Sequence, residues 1–153
     1  MKSKKKPEKL LWENKFIQKI QPFHKRSYKA KAVKIVKRAE TTKNSLVARS
    51  KKMGVKCTIT TDDLYKLMYE SYGCKCKYCH KILTIDNMVF DHTIPISKGG
   101  DSTPENMQVI CRTSNSMKGS LTEENFLMLL NWLDTAPEEL KKDVSIRLAR
   151  GIH

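Results

Sequence analysis

Apolar and polar residues recur with a helical period along the first third of the chain. In "LLWENKFIQKI" (10–20), apolar residues at 10, 11, 12, 16, 17 and 20 lie close to one helical stripe. Pro22 lacks a backbone N–H and should end this helix. Residues 28–54 are good helix formers, with a break expected near 41–44 and Gly54 suited to a C-terminal stop. The pattern predicts two helices here, with Trp12 as a core anchor.

The middle of the chain alternates short strand signals with one strong helix signal. "CTIT" (57–60) predicts a short strand, and Thr60 with Asp63 predicts a capping box that opens a helix over "DDLYKLMYESYG". The pattern then predicts a hairpin over 82–92, a polar loop over 93–105, a strand at "MQVI" and a small helix over 112–118. This part of the chain is therefore expected to mix strands with helices.

The pattern over residues 122–151 predicts two more helices. Thr122 is placed to cap the amphipathic stretch "EENFLMLLNWLD", and Pro137 is placed to start "PEELKKDVSIRLARG". Trp132 is expected to anchor the core in the same way as Trp12. The longest apolar run, "FLMLL", is far too short to span a bilayer.

Positive charge is concentrated at the front of the chain. The formal net charge of the 153 residues is +14, yet residues 1–56 hold 19 Lys and Arg against 3 acids. The remaining residues hold 11 basic and 13 acidic side chains. A cationic front end on a nearly neutral body predicts a polyanionic partner, and nucleic acid is the most common one. An anionic membrane surface is the alternative, but the front end lacks a clean apolar face to insert.

Five cysteines indicate metal binding or burial more than disulfides. Their number is odd, and Cys74, Cys76 and Cys79 are bunched together. No apolar segment of signal-peptide length follows the basic N-terminus, so secretion is not expected. We therefore expect a cytoplasmic protein of a bacterium or a phage-infected host cell, with reduced thiols.

Four polar motifs surround the end of an apolar run. They are "CKYC" (76–79), "DHTIPISKGG" (91–100), "PEN" (104–106) and "CRTSNSMK" (111–118). Each alone is a weak signal, because Cys-x-x-Cys pairs and Asp-His steps also occur by chance. Their order and spacing together are much harder to obtain by accident, which favours a functional site over solvated loop residues.

In these motifs, residues 72–121 resemble the HNH endonucleases, the ββα-metal nuclease family. The family pattern is a Cys-x-x-Cys pair, an Asp-His step followed by Pro and Gly-Gly, an Asn, and a Cys-x-x-Cys-Asn-x-x-Lys run. The resemblance implies an α+β fold: a ββα-metal core with flanking helices and, in this chain, a basic helical N-terminal extension. The lead-in before the motifs is similar to phage or mobile-element members.

The resemblance also implies roles for five residues. Asp91 and Asn115 would hold a catalytic metal through oxygen, as Mg²⁺ or Mn²⁺ prefers, and His92 would be the general base. Asn115 stands where many members have a histidine, so the chain is an H-N-N variant. Asn106 would fix the loop and orient the imidazole. Lys118, one turn beyond Asn115, would hold a phosphate oxygen.

The cysteine pattern departs from the family at Ser114, where a second Cys-x-x-Cys pair would end. Cys76, Cys79 and Cys111 remain as ligands for a structural zinc. Three alternatives stay open. Cys74 or His80 supplies the fourth ligand, water fills the position, or zinc has been lost and the sulfurs are packed. His80 stands where family members usually carry glycine.

Two domains and one activity are expected. Residues 1–56 would form a DNA-docking extension and 57–153 the nuclease domain, with the motif core at 72–121 and C-terminal helices at 122–150. The basic residues expected to bind double-stranded DNA are Lys31, Lys34, Lys37, Arg38, Arg49, Lys51 and Lys52. The predicted function is metal-dependent DNA cleavage. The alternatives are a catalytically silent, nuclease-derived nucleic-acid-binding zinc protein and a basic zinc protein associated with RNA or ribosomes.

Overall fold

The computed structural model describes residues 7–151, in which six helices surround a two-stranded antiparallel sheet. In chain order the elements are α1 (Pro7–Ile20), α2 (Tyr28–Met53), α3 (Thr61–Ser71), β1 (Met88–His92), β2 (Met107–Cys111), α4 (Arg112–Lys118), α5 (Glu123–Thr135) and α6 (Glu138–Ala149). Two short 3-10 turns, Ile96–Lys98 and Pro104–Asn106, lie between the strands. The expected α+β class is confirmed.

α2 runs for 26 residues without the break expected near 41–44. Ala39 and Leu46 are fully buried on either side of that stretch, so burial of one continuous stripe outweighs the modest cost of Thr and Asn in a helix. The Thr41 hydroxyl donates to the carbonyl oxygen of Lys37 at 2.9 Å, one turn back, which satisfies it within the helix.

The predicted helix ends are confirmed at three places. Gly54 ends α2 with φ 68°, the left-handed conformation that glycine adopts without a Cβ clash. At the start of α3, Thr60 and Asp63 form the predicted capping box, with the side chain of each bonded to the backbone N–H of the other. Thr122 accepts from the Asn125 N–H at the start of α5.

The strand predictions were partly wrong. β1 pairs with β2 across the intervening loop, with Asp91 opposite Gln108 and His92 opposite Met107. The hairpin expected over 82–92 is absent from the described residues, where Ile82 makes only an isolated bridge to Lys75. The "CTIT" strand is likewise reduced to a single bridge between Cys57 and Ser102.

The strands and α4 form a ββα unit. α4 begins directly after β2 and contacts both strands, so its side chains face the end of β1. α6 packs on α4, and α5 buries Phe126 edge-on against Tyr78, with ring centroids 4.9 Å apart. Trp132 is 51 % exposed, contrary to the prediction that it anchors the core.

One apolar cluster joins the front helices to the ββα unit. It includes Phe16 of α1, Ile35 of α2, Leu64 of α3 and Ile110 of β2, all fully buried. Trp12, the predicted core anchor, belongs to this cluster, and its ring nitrogen donates to Asp62. The division at residue 56 stays a prediction, but side chains from both sides of it pack into the same core.

Candidate active site

Asp91 and His92 end β1 and line a cleft of about 610 Å³. Asn115 of α4 lines the same cleft, because α4 packs across the end of the strand. Asn115 makes no side-chain hydrogen bond with another residue in 7–151, so its amide is available to a ligand. The structure thus brings together three of the residues that the sequence singled out.

The opposite wall of the cleft is the middle and end of α2. Its lining side chains are hydroxyls and guanidinium groups, and they are Arg38, Thr41, Thr42, Ser45 and Arg49. A polyanion entering the cleft would therefore meet positive charge and hydrogen-bond donors opposite the Asp91 carboxylate. The basic residues of α2 predict contact with a polyanion, but no local pattern in the sequence indicates that this helix lies beside His92.

Asp91 is held from two sides through one of its oxygens. The Gln108 side chain, directly opposite in the sheet, donates to Oδ2 at 3.0 Å, and the Lys118 ammonium lies 3.0 Å from the same atom. These contacts leave Oδ1 for a cation. A carboxylate oxygen together with the Asn115 amide oxygen is a donor set that suits a hard divalent metal.

Lys118 is placed differently from the expectation. Its side chain is fully buried, and Nζ donates to the backbone carbonyl of His92 at 2.7 Å as well as facing Asp91. The ammonium is thus occupied inside the protein and does not line the cleft. In this position Lys118 fixes the end of β1 and neutralises Asp91, and its contact with a phosphate stays a prediction.

The surroundings of His92 favour the uncharged form of its imidazole. Burial lowers the pKa of His92, and the positive charges of Arg49 and Lys118 lower it further, while Asp91 acts in the opposite direction. His92 is 7 % exposed and lines the cleft. A neutral imidazole is the form that accepts a proton.

Ser102, which is not among the predicted site residues, contacts the imidazole of His92. Nε2 of His92 lies 2.9 Å from Oγ of Ser102, a residue with no exposed surface. No local pattern marks this serine, since it follows Gly-Gly-Asp in a loop and reaches the ring only through the fold.

Asn106 clamps the loop between the strands but does not contact the imidazole. Its amide exchanges hydrogen bonds with the backbone of Ile94, at 2.8 and 3.0 Å, and donates to the carbonyl of Asp101 at 2.8 Å. Gly100 makes this closure possible, because a Cβ there would lie 1.8 Å from the Ile94 carbonyl oxygen. The loop-fixing role implied by the resemblance fits this geometry, and the side chain that contacts the imidazole is Ser102.

Three cysteines form a compact cluster beside the sheet. The sulfur atoms of Cys76, Cys79 and Cys111 lie within 4.8 Å of one another, and those of Cys79 and Cys111 are 3.3 Å apart. Burial raises the pKa of Cys76, but hydrogen bonds from the N–H groups of Cys111 and Cys79 and from Ser114 outweigh it and lower the value to about 6. Burial raises the pKa of Cys111.

Ser114 occupies the fourth corner of this cluster. Its Oγ lies 3.3 Å from the Cys111 sulfur and 3.5 Å from the Cys76 sulfur. Cys74 and His80 lie outside the cluster, and the Cys74 thiol is exposed and bonded to the Glu70 carbonyl, so neither supplies a fourth ligand in this arrangement. His80 has φ 58°, which explains why glycine suits this turn.

The basic residues singled out on α2 divide into two groups. Lys31 and Lys34 pair with Asp86, and Arg38 donates to the backbone carbonyls of Ile85 and Met88. These three side chains are thus partly occupied in holding α2 to the ββα unit. The other four residues of the predicted set are all exposed, and they are Lys37, Arg49, Lys51 and Lys52.

Comparison with known proteins supports the interpretation of the ββα unit. The model of the HNH endonuclease family matches residues 76–131, a span that holds the cysteines of the cluster, both strands, α4 and the start of α5. Residues 76–131 belong to the HNH endonuclease family. No curated protein and no solved structure matches the chain significantly.

The residues matched by the HNH family model form one side of the cleft. Asp91, His92 and Asn115 all fall inside the matched span, whereas the α2 wall lies outside it. Within residues 7–151, no helix has both the length and the hydropathy needed to cross a bilayer.

Proposed function

We propose that this chain is a metal-dependent DNA endonuclease that hydrolyses phosphodiester bonds in the cleft between β1, α4 and α2. The observation that carries the proposal is the convergence of Asp91, His92 and Asn115 on one cleft with a cationic wall. Family membership supports nuclease chemistry, and the geometry supports the particular residues.

His92 acts as the general base in this proposal. Its neutral imidazole accepts a proton from a water molecule, and the oxygen of that water attacks phosphorus as the bond to the 3′ oxygen breaks. Burial and the nearby positive charges lower the pKa of His92, which favours the unprotonated imidazole. His92, Asp91 and Asn115 all line the same cleft, so a single phosphate can reach the general base and the expected metal ligands.

Asp91 and Asn115 would hold Mg²⁺ or Mn²⁺ through Oδ1 and the amide oxygen. Such a metal supplies Lewis-acid stabilisation of the charge on the phosphate and the departing oxygen. Gln108 and Lys118 hold Asp91 through Oδ2, which presents the other oxygen to the cleft. Loss of the third motif histidine leaves oxygen donors, which favour hard cations over softer ones.

The proposed substrate is double-stranded DNA, bound along α2. Arg49 and Arg38 line the cleft, and Lys37, Lys51 and Lys52 extend positive charge along the same helix. Phosphates are the groups that such a surface binds, independently of base sequence.

We further propose that Cys76, Cys79 and Cys111 hold a structural zinc. The fourth ligand would be the Ser114 hydroxyl or a water molecule at the same corner. A tetrahedral zinc with Zn–S distances of about 2.3 Å needs neighbouring ligands that are close together, as these three sulfurs are. The same cysteine cluster would also be present in the alternative, a catalytically silent zinc protein that binds nucleic acid.

One assay separates cleavage from binding. Supercoiled plasmid is incubated with wild-type protein and with His92→Ala, in Mg²⁺, in Mn²⁺ and in EDTA. We expect relaxed or linear product from the wild type with metal, and none in EDTA. A protein that shifts the mobility of the plasmid in a gel but cleaves it in no metal would favour the catalytically silent binding protein and contradict the proposal.

A further inference from the structure

Two buried serines form a chain of hydrogen bonds behind the imidazole. Oγ of Ser102 lies 2.9 Å from Nε2 of His92 and 2.9 Å from Oγ of Ser50. Ser50 is 1 % exposed and Ser102 is fully buried, so neither hydroxyl exchanges its partner with bulk water. Buried hydroxyls are costly unless bonded, so these three side chains constrain one another.

The backbone fixes where this chain of hydroxyls lies. The Ser102 N–H donates to the Lys56 carbonyl at 2.8 Å, and its carbonyl accepts from Thr58 and Ile59, each at 3.1 Å. Ser50 stands on the last turn of α2, which Gly54 ends. The segment that follows α2 thus holds Ser102 from one side while α2 itself holds it from the other.

We propose that Ser102 and Ser50 are positioning residues that select the tautomer of His92. The Ser102 hydroxyl accepts a hydrogen bond from Nε2–H and donates its own proton to Ser50, so Nδ1 presents its lone pair to the cleft. This inference rests on the proposed function, in which that lone pair accepts the proton of the attacking water.

The direction of the hydrogen bond between Ser102 and His92 decides which ring nitrogen carries the proton. A neutral imidazole has one donor nitrogen and one acceptor nitrogen, and a hydroxyl has one proton to donate. In the opposite direction Ser102 would donate to Nε2, the ring proton would lie on Nδ1, and the cleft would face a donor. Only the first direction leaves a base at the substrate. A part of the chain outside the matched HNH span therefore supports the base.

The tautomer is measured directly by ¹H–¹⁵N correlation through the imidazole ring, at a pH where His92 is neutral. His92→Gln assigns the signal among the four histidines. We expect Nε2–H in the wild type, and a mixture of tautomers in Ser102→Ala, whose backbone bonds do not require the hydroxyl. An Nδ1–H tautomer in the wild type, or an unchanged tautomer in Ser102→Ala, overturns the inference.

Cleavage kinetics test whether the position of the ring proton affects catalysis. Ser102→Ala should lower kcat about 10-fold, the rate equivalent of one hydrogen bond, with KM unchanged. Ser50→Ala should lower kcat by a smaller factor. Because alanine is a strong helix former, this variant should fold, and it tests the inference if Ser102→Ala fails to fold. Ser27→Ala is the matched control, because Ser27 precedes the same helix and makes no capping bond. Unchanged kcat in both test variants overturns the inference.

The two measurements separate this inference from the proposed function. If the wild type fails to cleave DNA in any metal, the nuclease proposal fails, while the ring spectrum still decides whether the serines set the tautomer. If the wild type cleaves and the serine variants cleave equally well, the nuclease stands and the positioning role is overturned.

Discussion

His92 combines burial with nearby positive charge, and this combination sets the expected pH dependence of cleavage. Burial, Arg49 and Lys118 lower the pKa of His92, while Asp91 opposes them. A general base works in its deprotonated form, so kcat should rise with pH through this lowered pKa and reach half its maximum below about 6.5, the ordinary histidine value.

Arg49→Gln provides the test of that dependence. It removes one influence that lowers the pKa of His92, so the acidic limb of the kcat profile should move to higher pH. Lys37→Gln is the matched control, because it removes one charge from an exposed position of α2 that does not line the cleft. If the acidic limbs of the kcat profiles of the wild type and Arg49→Gln coincide, Arg49 does not affect the pKa of His92.

Lys118 offers a second test at the residue scale, because two roles predict different defects. Lys118→Met leaves the Asp91 carboxylate, which is 10 % exposed, without its ion-pair partner, and should lower the free energy of unfolding by about 3–5 kcal/mol. Denaturant unfolding measures this loss, and adding Asp91→Asn should restore part of it. Unchanged stability with weaker DNA binding would instead return Lys118 to the phosphate-holding role.

Single residues in the motifs could be predicted from sequence, but their partners could not. The order of Asp91, His92 and Asn115 is visible in the motifs, and the fold brings all three to one cleft. Ser102 and Ser50 are 52 positions apart and meet only because α2 packs over the loop, so no local signal marks them. The buried position of Lys118 was missed for the same reason.

At the scale of elements, the cysteine cluster makes a prediction about zinc. The purified protein should contain about one zinc per chain, and Cys79→Ser should lower the melting temperature because structural zinc contributes directly to folding. Cys74→Ser is the control, since that thiol is exposed and lies outside the cluster. Metal-free protein with unchanged melting in Cys79→Ser would mean that the cysteines only pack.

Helices were predicted better than strands, and the reason is physical. Helix ends depend on neighbours within a few residues, so Gly54, the Thr60–Asp63 box and Thr122 were recognised from sequence. The partner of a strand is chosen by tertiary packing, and β1 takes β2, beyond a fourteen-residue loop, in place of the nearby segment expected to form a hairpin. The unbroken α2 is a further case in which burial overrides local propensity.

At the scale of the whole molecule, α1 and α2 contribute to the apolar core in addition to the proposed DNA surface. Phe16, Ile20 and Ile35 are fully buried in the cluster that also holds Ile110. Deleting the N-terminal region would therefore expose apolar surface and remove one wall of the cleft. Charge-neutralising substitutions at exposed positions test DNA binding without that damage.

The salt dependence of DNA binding tests whether α2 is the docking surface. Phosphate contacts release counterions, so log affinity should fall with log salt by about 0.9 for each phosphate neutralised. Replacing Lys37, Lys51 and Lys52 by Gln should flatten that slope by up to about 0.9 for each phosphate that these lysines neutralise, while cleavage at saturating DNA persists. All three lysines are exposed, so the fold should be unaffected.

The matched control is the triple variant Lys66→Gln, Lys81→Gln and Lys142→Gln. It lowers the net charge by the same amount at exposed positions outside α2. If docking runs along α2, the control should keep the wild-type slope, because counterions are released only where phosphates are bound. Equal flattening in both variants would mean that overall charge, not the α2 surface, governs DNA binding. A wild-type slope in the α2 variant would show that these lysines do not contact DNA.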